Sequence, residues 1–188
     1  MSLTAPSAEL RERARRIRLA CFDVDGTLTD GRLHFDDDGR EHKAFHAQDG
    51  LGLAMLRKHG IEVALITARS SRVTEIRGAE LGLTEVHVAA HDKLATTRAI
   101  AAKMGIAMDA VAFMGDDLVD LAVFPHVGLA AAPANVHAWT APHAHWTATR
   151  EGGHGAAREL CDLLLDAQDR REAIMQAAGV PPASDISR

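Results

Sequence analysis

Apolar residues along this chain fall into short unbroken runs separated by longer amphipathic stretches. The runs are Leu19-Ala20-Cys21-Phe22, Val63-Ala64-Leu65-Ile66-Thr67, Val86-His87-Val88, Val111-Ala112-Phe113-Met114-Gly115 and Val127-Gly128-Leu129. Runs this short and this apolar predict buried strands. Helices are predicted over about 7–17, near 49–59, 71–81, 92–104 and 117–123, and as a last amphipathic segment at about 155–170. Gly60, Gly82 and Gly105 sit where helix C-caps belong, and Asp92 and Ser70 or Ser71 where N-caps belong. Strands alternating with helices predict an α/β fold: a three-layer, Rossmann-like, mostly parallel sheet with helices on both faces. One segment interrupts the alternation. Leu33-His34-Phe35 and Ala44-Phe45-His46 flank Asp36-Asp37-Asp38-Gly39, which predicts a β-hairpin over about 32–47, inserted after the first strand. No internal repeat or linker is visible. We therefore expect a single domain over 1–188, with its core at about 18–170 and a loose tail at about 179–188 around Pro181-Pro182.

Composition narrows the function more than the fold. With 47% hydrophobic residues but only 4% aromatic ones and no Tyr, the interior must be filled by Ala, Leu and Val. A net charge of −5 without any basic block argues against a nucleic-acid partner. Cys21 and Cys161 lie in apolar runs, as buried thiols do, which fits a reducing compartment. No apolar stretch approaches the ~20 residues that cross a membrane, and the first residues lack the apolar core of a signal peptide. The expectation is a cytoplasmic protein with no membrane partner.

Polar residues gather where the predicted strands end. Asp23 and Asp25, two positions apart at the end of the first run, would project the same way from an extended chain. Gly26 allows a sharp turn, and Thr27 offers an amide and a hydroxyl. Alone, this segment fits an Asx turn equally well. Thr67 follows the second run, His91-Asp92-Lys93 the third, and Gly115-Asp116-Asp117 the fourth, with Asp120 one helical turn on. Ligands of parallel α/β sheets gather at this rim, and acids with one Lys, one Thr and glycine turns suit Mg2+ together with a phosphoryl group. Locally, Asp92-Lys93 is also compatible with an N-cap and a surface ammonium, and Asp116-Asp117 with a capped turn.

The order Asp-x-Asp-Gly-Thr, Thr67, Lys93, Gly-Asp-Asp-x-x-x-Asp resembles the haloacid dehalogenase-like phosphatase superfamily. Further segments are similar to its 3-deoxy-D-manno-octulosonate 8-phosphate phosphatases: Asp30-Gly31, Lys43-Ala44-Phe45, Gln48-Asp49-Gly50, Thr67-Ala68-Arg69, Arg77 ahead of Leu81-Gly82, and the glycine-rich run from Gly152 to Glu159. The resemblance implies Asp23 as nucleophile and Asp25 as general acid and base. It implies Mg2+ held by Asp23, Asp116 and the backbone carbonyl of Asp25, with Asp117 and Asp120 orienting that shell. Thr67, the Gly26 and Thr27 amides and Lys93 would grip phosphate. His46, Ala47, Gln48, Asp49, Gly50, Arg69 and Arg77 would face a phosphorylated sugar acid, although Arg69 and Arg77 read locally as solvated helix residues. The other histidines show no zinc spacing and read as surface groups.

Larger members of that superfamily carry an inserted cap domain. Here 44 positions separate Asp23 from Thr67 and 26 separate Thr67 from Lys93, which leaves no room for one. The resemblance implies a homotetramer instead, with hairpins paired between subunits and neighbours completing each site. Two positions depart from the family pattern: Ala47-Gln48 stands where Val-Arg is frequent, and Ala68 where Gly is frequent. Other phosphatases of the same capless group, acting on a nine-carbon sugar-acid 9-phosphate, remain an alternative, as does a silent oligomerisation module.

Overall fold

The computed structural model describes residues 6–181, so most of the expected tail, 182–188, lies outside the described residues. The chain runs α1 (Ala8–Arg15), β1 (Leu19–Phe22), β2 (His34–Phe35), β3 (Glu41–His42), α2 (Ala47–Lys58), β4 (Glu62–Ile66), α3 (Arg72–Glu80), β5 (Glu85–His87), α4 (Lys93–Lys103), β6 (Val111–Met114), β7 (Leu129–Ala132), β8 (Trp146–Thr147), α5 (Ala156–Ala167) and α6 (Arg171–Ala177). Six strands form one parallel sheet in the order β5-β4-β1-β6-β7-β8. β1 is central: Cys21 pairs with Ala64 on one side and Phe113 on the other.

Period-two alternation splits β1 between two cores. Ala20 and Phe22 pack with Ala14, Leu53, Leu56, Leu160 and Leu164, beneath α1, α2 and α5. Leu19 and Cys21 pack with Ile100, Phe113 and Phe124 on the α4 side. With so few aromatics, one edge-to-face pair, Phe113 and Phe124 at 6.4 Å, serves that second core. On the first, Gly52 of α2 admits Cys161 of α5 so closely that a Cβ at 52 would stand 3.1 Å from Sγ. Ser71 and Asp92 cap α3 and α4 by accepting from Thr74 N and Ala95 N.

The structure differs from the pattern-based expectation in four places. The helix expected at 117–123 is a single 3-10 turn, Leu118–Asp120, and a second one, Phe124–His126, follows beyond it. Asp117 and Asp120 close a capping box after a single turn, and Pro125 cannot donate to a continuing helix. The second hairpin arm is Glu41–His42 rather than 44–46. Asp36 accepts from the amides of Asp38 and Arg40, tightening the turn, so pairing ends early and the chain after His42 bends inward. The fifth strand starts at Leu129, not Val127, and β8 and α6 were not foreseen because two residues and seven residues give too little periodicity to see. No further domain interrupts the segments between the strands among the described residues, and none of their helices is long and apolar enough to cross a membrane.

Candidate active site

β1 ends at Phe22, and the Asp23 amide still donates to Met114 O at 2.9 Å. The chain then coils: the amides of Leu28 and Thr29 both donate to Val24 O, with Gly26 at φ +91°. Extended geometry predicted a shared direction; in the turn, Asp23 and Asp25 serve different partners.

Asp23 joins Asp116 and Asp120, one oxygen of each lying within 4.8 Å of the others. Lys93, the first residue of α4, projects its ammonium 2.8 Å from Asp23 Oδ1 and 2.7 Å from Asp120 Oδ1. Asp120 Oδ2 also accepts from the amides of Asp116 (2.9 Å) and Asp117 (3.1 Å), so it braces the loop and the lysine together. Asp117 itself caps the following turn through Leu118 N. Thr27 Oγ1 donates to Asp116 Oδ1 at 3.3 Å. Two glycines make room: a Cβ at Gly26 would sit 2.1 Å from Asp116 Oδ2, and one at Gly115 would sit 2.3 Å from Asp120 Cγ.

Two buried carboxylates, Asp23 and Asp120, and the half-buried Asp116 face one ammonium. Burial, followed by the charge of Asp120, pushes Asp23 up to about 8, and the same two causes push Asp116 up to about 6. Burial alone would lower Lys93, but Asp23 and Asp120 overcome it and raise its pKa. An oxygen-only cluster with excess negative charge is what a hard divalent cation such as Mg2+ requires. Asp120 engages Lys93 and two amides, Asp23 engages Lys93 alone, and Asp116 accepts only from Thr27, so Asp23 and Asp116 are the candidates to hold such an ion.

Asp25 has a separate set of partners. Lys43 donates to its Oδ1, Thr67 Oγ1 donates to Oδ2 at 3.3 Å, and Arg69 Nε stands 3.9 Å from Oδ2. Glu41 closes the group: it accepts from Arg69 (3.1 Å) and Ser71 (2.5 Å) and lies 3.5 Å from Lys43 Nζ. Burial would raise Glu41, yet the Ser71 and Arg69 hydrogen bonds and the Lys43 charge leave it below the usual carboxylate range. Glu41 and Lys43 were not among the residues singled out for the site. The signals available were their spacing across His42 and, for Lys43, its place in a segment similar to the family.

The 46–50 segment is the start of α2. His46 is its N-cap residue, and Ala47, Gln48, Asp49 and Gly50 form its first turn. Gln48 accepts from Arg150 at 3.2 Å. Asp49, expected to face substrate, is buried and accepts from Arg158 N at 2.7 Å, supplying the cap that Gly155 cannot give to α5. Arg77 lies over the Phe45 ring at 5.6 Å and pairs with Glu80, beside a small cavity lined by His46, Asp49 and Gly50. No ion pair or hydrogen bond joins Arg77 to the Asp23 cluster among the described residues.

The glycine-rich run before α5 is packed against the catalytic turn. Gly153 N donates to Thr27 O at 3.1 Å, and a Cβ at Gly152 would lie 1.8 Å from Gly26 O. Only glycine permits that approach.

This fold and this site define a haloacid dehalogenase-like hydrolase, a phosphoric monoester hydrolase by class, and the family model described by that name matches residues 73–160. The 3-deoxy-D-manno-octulosonate 8-phosphate phosphatase of Yersinia pestis is 41% identical over 161 residues, covering 86% of each chain. Among solved structures, a hypothetical protein from Xanthomonas campestris is 50% identical with a TM-score of 0.90, over 93% of this chain and 96% of that one. The 3-deoxy-D-manno-octulosonate 8-phosphate phosphatase of Moraxella catarrhalis, solved with magnesium, phosphate and KDO, is 37% identical with a TM-score of 0.89, over 92% and 99%. The chain belongs to the 3-deoxy-D-manno-octulosonate 8-phosphate phosphatase family.

Proposed function

We propose that this protein is a Mg2+-dependent phosphatase that hydrolyses 3-deoxy-D-manno-octulosonate 8-phosphate to the sugar acid and inorganic phosphate, in lipopolysaccharide precursor synthesis. The observation that carries the reading is the division of labour at the end of β1: Asp23 beside Asp116 and Lys93, Asp25 beside Thr67. Similarity to the Y. pestis and M. catarrhalis enzymes over most of the chain supports the substrate.

Asp23 attacks phosphorus; its Oδ–P bond forms as the P–O bond to the sugar breaks. Asp25 gives a proton to the departing alkoxide, then takes one from the water that cleaves the aspartyl-phosphate and frees phosphate. Lys93 offsets charge on Asp23 and on the phosphoryl oxygens, and Thr67 with the Gly26 and Thr27 amides orients them. Asp23, Asp116 and the Asp25 carbonyl would hold Mg2+, which would supply further charge neutralisation. Arg69, beside Asp25, would meet the sugar acid together with His46 and Arg77. Arg150, hydrogen-bonded to Gln48, keeps a guanidinium beside the position where the family often carries its own cation.

We further infer a cytoplasmic homotetramer of single-domain subunits, closed over each site by neighbours. Leu33 and Phe35 support it: they are about half exposed at a two-stranded hairpin that pairs with no further strand among the described residues.

The test is phosphate release with Mg2+ across sugar-acid phosphates, eight- and nine-carbon, next to Asp23→Asn. We expect the eight-carbon substrate to lead and the variant to be inactive. Sustained turnover by Asp23→Asn, or equal rates on unrelated monoesters, would count against the reading.

A further inference from the structure

Lys43 leaves the hairpin and turns its side chain inward, where it is only 2% exposed and meets Asp25 Oδ1. Thr67 Oγ1 lies 3.3 Å from Oδ2, so the lysine holds one oxygen of that carboxyl group and the other faces a hydroxyl that can accept from it when Asp25 carries its proton. The lysine is itself held. Glu41 Oε1 stands 3.5 Å from its ammonium, and Glu41 is fixed by Arg69 at 3.1 Å and Ser71 at 2.5 Å. Hiding an ammonium from water is costly, and an apolar side chain would anchor the hairpin with less penalty. The chain therefore keeps a buried charge where anchoring alone does not call for one.

Resting on the assignment of Asp25 as general acid, we propose that Lys43 is a positioning residue for the phosphatase reaction. It fixes the carboxylate of Asp25 at the angle from which its proton reaches the leaving oxygen, and Glu41 keeps the lysine in place. In that step the ester P–O bond breaks while the Asp23 Oδ–P bond forms, and the electron pair left on the departing oxygen takes the proton of Asp25. Lys43 exchanges no proton. Its contribution therefore scales with how much the leaving group needs one.

A sugar alkoxide needs that proton, whereas p-nitrophenolate does not. We expect Lys43→Met to lower kcat/KM on the sugar phosphate by about 100-fold and on p-nitrophenyl phosphate by less than about 5-fold, the range that general acid catalysis supplies. KM for the sugar phosphate should barely move, Lys43→Arg should recover part of the loss, and Glu41→Gln should show the same split in weaker form. Equal losses on both substrates in a folded Lys43→Met would overturn the proposal, as would an unchanged rate on the sugar phosphate. If Lys43→Met does not fold, the split in Glu41→Gln decides. A wild type active on p-nitrophenyl phosphate but inert on the sugar phosphate would refute the substrate assignment instead. The alkyl phosphate it hydrolyses best then takes the sugar's place, and the same split is read.

Discussion

The ammonium of Lys93 and the carboxylate of Asp120 meet at 2.7 Å with both side chains sealed from water. Lys93 also lies 2.8 Å from Asp23, so one cation balances two acids and indirectly the loop that Asp120 braces. Removing it leaves three carboxylates uncompensated. Lys93→Met should cost roughly 3–5 kcal/mol of stability, the range for breaking a buried ion pair. Activity should fall by about 100- to 1,000-fold, as when one preorganised charge is lost from a transition state. Urea denaturation and phosphate release check both. A variant as stable as wild type would mean that the cluster does not depend on the ammonium.

Asp49 separates a structural from a substrate-binding role. It is buried and accepts from Arg158 N at the start of α5, whose own N-cap position is a glycine with φ +106°. Asp49→Ala should lose about 1–2 kcal/mol, as capping deletions do. We expect KM for the sugar phosphate to stay within about twofold; chemical denaturation beside steady-state kinetics measures both. A tenfold rise in KM at unchanged stability would restore the substrate role.

The sequence pattern carried the sheet well where apolar runs were local and unbroken, as in β1, β4 and β6. It carried the Asp23, Thr67, Lys93 and Asp116 set because polar residues at strand ends are adjacent in sequence to those runs. What it could not carry depends on partners far along the chain. Asp49 meets Arg158 across 109 positions, and nothing near Asp49 announces a helix that lacks a cap. Lys43 meets Asp25 only because the hairpin stops pairing early and the chain folds back. The separate partners of Asp23 and Asp25 likewise lie at least 18 positions away, in Lys93 and Asp116 for one and Lys43 and Thr67 for the other.

Charge within the Asp23 cluster makes the protein's stability respond to pH and Mg2+ together. Burial and then Asp120 hold Asp23 up to about 8 and Asp116 up to about 6, against 3.8 for an ordinary aspartate. Between those limits the folded chain without metal keeps protons that the unfolded chain has lost. Stability of the metal-free protein should therefore fall as pH rises through that window, the reverse of a salt-bridged carboxylate. Mg2+ takes the place of those protons, so its binding should release them and tighten as pH rises from about 6 to 8. In EDTA-treated protein the melting temperature should drop across that interval. Saturating Mg2+ should remove most of the drop, and Asp120→Asn should flatten it by relieving the repulsion on both neighbours. Melting curves over a pH series, with calorimetry in two buffers of different ionisation enthalpy to count protons, measure this directly. A metal-free melting temperature that climbs with pH, or Mg2+ binding without proton release at pH 7, would show that Lys93 already neutralises the cluster.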